Sequence, residues 1–237
     1  RAWFVKEVMV NYLPHEILPG DLLAGARFNI QASRCFNRKE ARARDALVMG
    51  RTGVRKQALD FHLHGYGNAG PTSGHLMPDH ADVLQRGWRG IHEDLVRRLE
   101  HLPRARARGE AGDQLRAMIT AATMARDLAA AYAKTCRDLA VREPDAGRRD
   151  ELKQMAANLD RVPWEPPRNF WEAVQALWLN HMLVMADENY PGPGVSFGRI
   201  DQYLLPYWEQ SLAEGMDRAF GKEVLGCFWV HCNTAYD

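Results

Sequence analysis

The chain has 237 residues, 46% of them hydrophobic, and 31 lysines and arginines stand against 30 aspartates and glutamates, a formal net charge of +1. That length holds one large domain or two small ones with a real core, and so even a charge balance predicts neither nucleic acid nor an acidic membrane as a partner. No apolar run approaches the ~20 residues of a membrane span and no secretory signal pattern opens the chain, so the cytoplasm is the expected location.

Arg1 to Leu13 is expected to be a helix ended by Pro14, with Ala2, Val5, Val8, Met9 and Tyr12 near one face. The next stretch, "HEILPGDLLAGARFNIQAS", sets a Pro-Gly turn between apolar runs and reads as strands or extended chain. Helical spacing returns from Arg38 to His62 and gives way to a glycine-dense loop, "HGYGNAGPTSGHLMPDH". Asp79 is placed to cap a helix starting near His80, striped by Val83, Leu84, Trp88, Ile91, Leu95 and Leu99. The arginines of "RARARGE" from Arg104 read as a solvated loop, since Glu110 and Asp113 follow at once.

Asp113 is expected to cap a long alanine-rich helix, and a further helix spans Arg148 to Leu159 before "VPWEPP" breaks the chain. Asn169 with Glu172 three residues on is close to a capping box, and Phe170, Val174, Leu177, Trp178, His181 and Met185 form the stripe behind it. That helix runs into "ENYPGPGVSFGRIDQ", a second glycine- and proline-rich loop. An apolar run from Tyr203, a break at Gly215 and a last helix from about Asp217 to Cys232 complete the chain. The predicted fold class is therefore mostly α with a few short strands. Two loops, Gly65 to His80 and Asn189 to Arg199, carry the unusual chemistry, because glycine lets backbone approach a ligand or a second strand closely.

Several constellations compete for function. His62, His64, His75 and His80 could ligate zinc or iron, but four histidines on and beside one loop are a weak pattern, and the expectation is no metal. The glycine run lacks the Lys-Ser/Thr ending of a P-loop, and Ser73 beside His75 lacks the G-x-S-x-G elbow of a hydrolase. Arg199 and Asp201 flank Ile200; on a strand they would share a face and form a buried pair that fixes backbone. Trp171, Trp178 and Trp208 are read as core. Cys35, Cys136, Cys227 and Cys232 form no CxxC pair and are expected as reduced thiols.

In order along the chain, "SGHLMPDHADVLQRGWRGI", "VPWEPPRNFWEAVQALWLNHMLVMADEN", "VSFGRIDQYLLPYW" and "LAEGMDRAFGKEVLGCFWVHCN" resemble consecutive blocks of the glycyl-radical enzymes, the pyruvate formate-lyase-like family. The resemblance implies part of a β/α barrel wrapped by helices, with residues 1–237 as a partial domain. It implies thiyl-radical chemistry on a small-molecule substrate, and a glycyl radical installed by an iron-sulfur, S-adenosylmethionine-dependent activase in place of a bound cofactor. Dimers are common in the family, so a homodimer is expected. No cysteine here lies in a Gly-Cys-Val/Thr-Glu context and no "RVSGY"-like segment occurs, so the chain reads as a fragment that lacks both radical elements and would not turn over alone.

By the same resemblance His75 matches a substrate-facing position that is histidine in diol dehydratases and arginine in pyruvate formate-lyase. Ser73, Gly194 and Ser196 join it as expected substrate-binding residues, with Arg199 and Asp201 as structural residues nearby. A His-Ser pair of glycerol dehydratase is replaced by Pro193 and Gly194, which counts against diol dehydration. The strings "ARFNIQAS", "GYGNAGPTSGHL" and "ENYPGPGVSFGR" look closest to the aromatic-substrate group, so arylacetate decarboxylation or addition to fumarate is the favoured expectation. Formate C-acetyltransferase-type and dehydratase chemistry are the alternatives, and a non-catalytic helical interaction module is the alternative of another class.

Overall fold

The computed structural model describes residues 1–26, 37–40, 42, 76–187 and 195–233. The first helix, α1 (Ala2–Glu7), continues into a π-helical turn over Val8–Tyr12, and extended chain follows to residue 26. After residue 76 come α2 (His80–Glu100), the single turn α3 (Arg104–Ala107), α4 (Glu110–Arg142), α5 (Ala146–Arg161), α6 (Phe170–Asp187), α7 (Ile200–Ala213) and α8 (Arg218–Asn233).

The longest helix, α4, lays a face of Ala122, Ala125, Ala129, Ala133 and Ala140 with Leu128 and Tyr132 against its neighbours, all of them buried. Small side chains let α5 approach closely, and Leu152, Met155, Ala156 and Leu159 complete that side of the core. The cap differs from the sequence expectation. Gly109 precedes the first residue, Glu110, and Asp113 lies inside the first turn with it, where both carboxylates favour the positive end of the helix dipole.

A second correction concerns α2, whose apolar stripe suggests one straight helix. Gly87 stands at φ +65°, a left-handed conformation natural only to glycine, and the helix kinks there. The amide groups freed by the kink are used at once: Trp88 N–H donates to Pro163 C=O at 2.9 Å and Arg89 N–H to Trp164 C=O at 2.9 Å. The "VPWEPP" break is thus the partner of the kink.

At the centre lies α6, with residues 172–183 all buried, apolar and polar side chains alike. Its start is held as the sequence suggests: Glu172 N–H donates to Asn169 Oδ1 at 2.9 Å, and the buried Glu172 carboxylate accepts from Arg168 N–H at 2.7 Å and from the Arg168 guanidinium at 2.6 Å. Against α6 runs the extended, buried segment from Leu22 to Ala26. Gln175 treats it as a strand would: Ala24 N–H donates to Oε1 at 2.8 Å and Nε2 donates back to Ala24 C=O at 2.9 Å. Trp171 Nε1–H takes Leu22 C=O at 2.6 Å. Side chains therefore satisfy backbone groups that a sheet would otherwise pair.

In place of the few short strands expected, the described residues hold no strand, and one isolated parallel bridge joins Leu76 to Val195. No described helix is long and apolar enough to cross a membrane.

Candidate functional site

That bridge brings together the closing residues of the two glycine-rich loops. Ser196 N–H donates to Leu76 C=O at 2.9 Å, and Ser196 Oγ accepts from Gly198 N–H at 3.2 Å. Gly198 has φ +68°, and the thioether of Met77 occupies the space a side chain there would need. Of the residues singled out for substrate, Ser196 is thus placed on an exposed turn beside the first loop's end. Ser73, His75 and Gly194, together with His62, His64 and Cys35, lie outside the described residues.

The Arg199–Asp201 pair exists, with Nη2 to Oδ2 at 2.6 Å and Nε to Oδ1 at 2.9 Å, but it is neither buried nor on a strand. Their side chains are 67% and 62% exposed, and Ile200 opens α7. The two residues meet because the helix start folds the chain back, and the pair stands in water, where it contributes little to stability.

Beneath the bridge is a seam of buried rings the sequence did not reveal. Asp79 caps α2, accepting from Asp82 N–H at 3.0 Å, and this carries His80 inward to 2% exposure. The Asn180 side-chain amide of α6 is hydrogen-bonded to His80 Nδ1 at 2.9 Å. Burial holds His80 neutral, its pKa lowered to about 4 despite the nearby Asp79 carboxylate. Neither His80 Nε2 nor Asn180 Oδ1 finds a hydrogen-bond partner among the described residues.

Phe197 enters this seam from the second loop. Its ring stacks on His181 at 4.0 Å between centroids and on His80 at 6.0 Å, and meets Phe228 edge-on at 4.8 Å. Tyr203 O–H donates to Phe197 C=O at 2.9 Å, and burial pushes that phenol's pKa upward. On the far side Trp178, fully buried, lies against His181 and His231. Gly25 gives Trp178 room: a Cβ at that glycine would sit 2.7 Å from the indole nitrogen. His231 faces Asp21 at 3.6 Å; burial lowers its pKa and the carboxylate works against the shift.

The chemistry available here is polar contact and ring packing. Burial pushes the Cys136 thiol up to about 12 and raises Cys227 as well, so neither is a ready thiolate. Among the described residues no group of three metal-ligating side chains gathers. Next to the seam, a cavity of about 290 Å³ is lined by Leu84, Gln85, Gln202, Tyr203 and Tyr207 from α2 and α7. Sequence reasoning weighed "VSFGR" for its glycine and charges and His80 as a metal ligand. The signal for their pairing was the phase of His181 and Asn180 on α6, which only the packing of α2 against α6 turns into contact.

Residues 48–237 match the profile of the family described as PFL-like, pyruvate formate lyase-like. The isethionate sulfite-lyase of Desulfovibrio desulfuricans is 33% identical over 157 residues, 64% of this chain and 18% of that protein. The (2S)-3-sulfopropanediol dehydratase of Klebsiella oxytoca is 28% identical over 183 residues, 76% of this chain and 21% of that protein. The indoleacetate decarboxylase of Tractidigestivibacter scatoligenes is 52% identical over 85 residues, 36% of this chain and 9% of that protein. Among solved structures, a glycyl radical enzyme from Archaeoglobus fulgidus superposes with a TM-score of 0.76 at 25% identity, over 100% of this chain and 36% of that one. The chain thus spans about a third of the length of the solved enzyme it matches, and its mostly helical build is the part of a glycyl-radical fold that this span represents.

Proposed function

The chain belongs to the pyruvate formate lyase-like family, and from that premise we propose that the protein as its gene encodes it is a glycyl-radical lyase that eliminates a leaving group from a small polar substrate. The observation that carries this reading is the breadth of the likeness to a sulfite-lyase and a dehydratase, which runs over 64% and 76% of the chain. The sequence alone favoured arylacetate decarboxylation or addition to fumarate; the relatives weigh toward the dehydratase alternative and toward carbon–sulfur cleavage. By the family resemblance Pro193 and Gly194 stand where glycerol dehydratase has a His-Ser pair, which counts against a glycerol-like diol and not against elimination as a class.

A glycyl radical handed to a cysteine thiol would supply hydrogen-atom abstraction, after installation by a radical S-adenosylmethionine activase. The residues of this chain would bind and orient substrate, with His75, Ser73, Gly194 and Ser196 facing it, and the packed helices around α6 would keep water away. We place the enzyme in the cytoplasm as a homodimer, with the activase as its protein partner.

Arylacetate decarboxylation is the second reading, favoured by the 52% identity to the indoleacetate enzyme, confined to 85 residues. The test is an anaerobic assay of the activated enzyme on isethionate, a hydroxylated amino acid, a sulfonated diol and indoleacetate. Release of sulfite or water supports elimination. Carbon dioxide from indoleacetate, with the other substrates untouched, would replace it by the second reading.

A further inference from the structure

The ring seam and the bridge belong to different chain segments that meet at one residue. We infer that Phe197 is a positioning residue: held against the imidazoles of His80 and His181, it fixes the closing residues of the second glycine-rich loop, Val195–Arg199, to those of the first, Leu76–His80. The loops' role in holding substrate rests on the function proposed above; the coupling between them does not.

Three ties join the two segments, and they differ in kind. The backbone bond from Ser196 to Leu76 is at the surface, where water competes for both groups. Met77 seats its thioether over Gly198, yet Met77 is itself exposed. The Phe197 ring, by contrast, packs against two buried imidazoles that are themselves anchored: His80 by Asn180 from α6, and His181 by its own place on α6. Tyr203 holds the Phe197 carbonyl from α7. Of these three ties the half-buried ring is the one that packs on fully buried groups, the imidazoles of His80 and His181. Loosening it removes the anchor that both loop ends share, so a change at residue 197 is felt at residues 76–84, more than a hundred positions earlier in sequence.

Native-state amide hydrogen exchange of the protein as its gene encodes it, without substrate, tests this. With Phe197→Leu, exchange rises about tenfold in peptides covering 76–84 as well as in those covering 195–203, while α4 keeps its protection. Phe197→Tyr, which keeps a ring in the seam, returns both regions toward the parent. A rise confined to 195–203 overturns the proposal, because the ring would then serve only its own segment. Should Phe197→Leu raise exchange everywhere, Ser196→Pro removes the exposed N–H of the bridge without touching the ring. Unchanged exchange at 76–84 in that variant, with the ring still in place, supports the ring as the tie, and faster exchange there contradicts it. Exchange is read without turnover, so loss of the elimination reading would leave this result standing.

Discussion

Two parts of the interior are built from opposite materials. Between α4 and α5 the buried face is mostly alanine, leucine and methionine, with Cys136, Tyr132 and Asn158 among them, a largely apolar contact whose strength is close packing. Around α6, on the side toward the glycine-rich loops, His80 and His181 are buried against the Phe197 ring, Asn180 is bonded to His80, and His231 is buried against Trp178. A dry core resists any loss of volume and ignores pH. A polar seam is specific about geometry, because each buried donor or acceptor left without a partner costs free energy, and it responds to protons. The difference locates the structurally demanding work where the two loops end.

The largest effect that would sharpen this contrast is in the dry region. Leu128→Ala should remove about 3 kcal/mol, the usual cost of a buried leucine truncated in a tight core, with a denaturation midpoint shift that is the same at pH 5 and pH 8. A comparable effect in the seam should come from protons alone. His80 titrates near its ordinary 6.5 when unfolded and at about 4 when folded. As pH falls, the unfolded chain takes up the proton first. The stability from this group is complete above about 6.5 and is lost progressively between there and 4, on the order of 3 kcal/mol in all. Depression of the His231 pKa adds in the same direction, whereas Asp79 beside His80 opposes it. His80→Phe should flatten that part of the urea-stability profile. An unchanged slope would mean the imidazole is not held neutral.

Next comes the extended segment beside α6. Gln175→Leu leaves the buried Ala24 N–H and C=O without partners and should cost about 2 kcal/mol by urea denaturation. A cost near zero would show that those groups find other partners. The smallest effect is at Arg199. Because the Arg199–Asp201 pair stands in water, Arg199→Ala should leave the melting temperature unchanged within error, whereas a buried pair would make the variant clearly less stable.

These contrasts also mark what the sequence could and could not reveal. Periodicity placed α6 and α8, and the Asn169 and Asp79 caps were legible because N-capping is a local interaction read from a few adjacent residues. The kink at Gly87 was not legible, since a glycine inside a helical pattern is usually tolerated, and the carbonyls that make it worthwhile belong to Pro163 and Trp164. Arg199 and Asp201 were paired correctly and placed wrongly, because alternation over three residues does not distinguish a strand from a helix start. The seam itself was hidden: His80, His181 and Phe197 come from three elements, and only long-range packing turns them into neighbours. The family, by contrast, was readable from contiguous blocks, and the profile match over residues 48–237 bears it out.

The central claim is that this chain belongs to an enzyme working through a glycyl radical. The most direct measurement is electron paramagnetic resonance of the protein as its gene encodes it, incubated without oxygen with its S-adenosylmethionine activase and a reductant. The account predicts the doublet of a carbon-centred glycyl radical, with the polypeptide cleaved at that glycine on exposure to air. A silent spectrum and an intact chain, with an activase shown to cleave S-adenosylmethionine in the same tube, would contradict it.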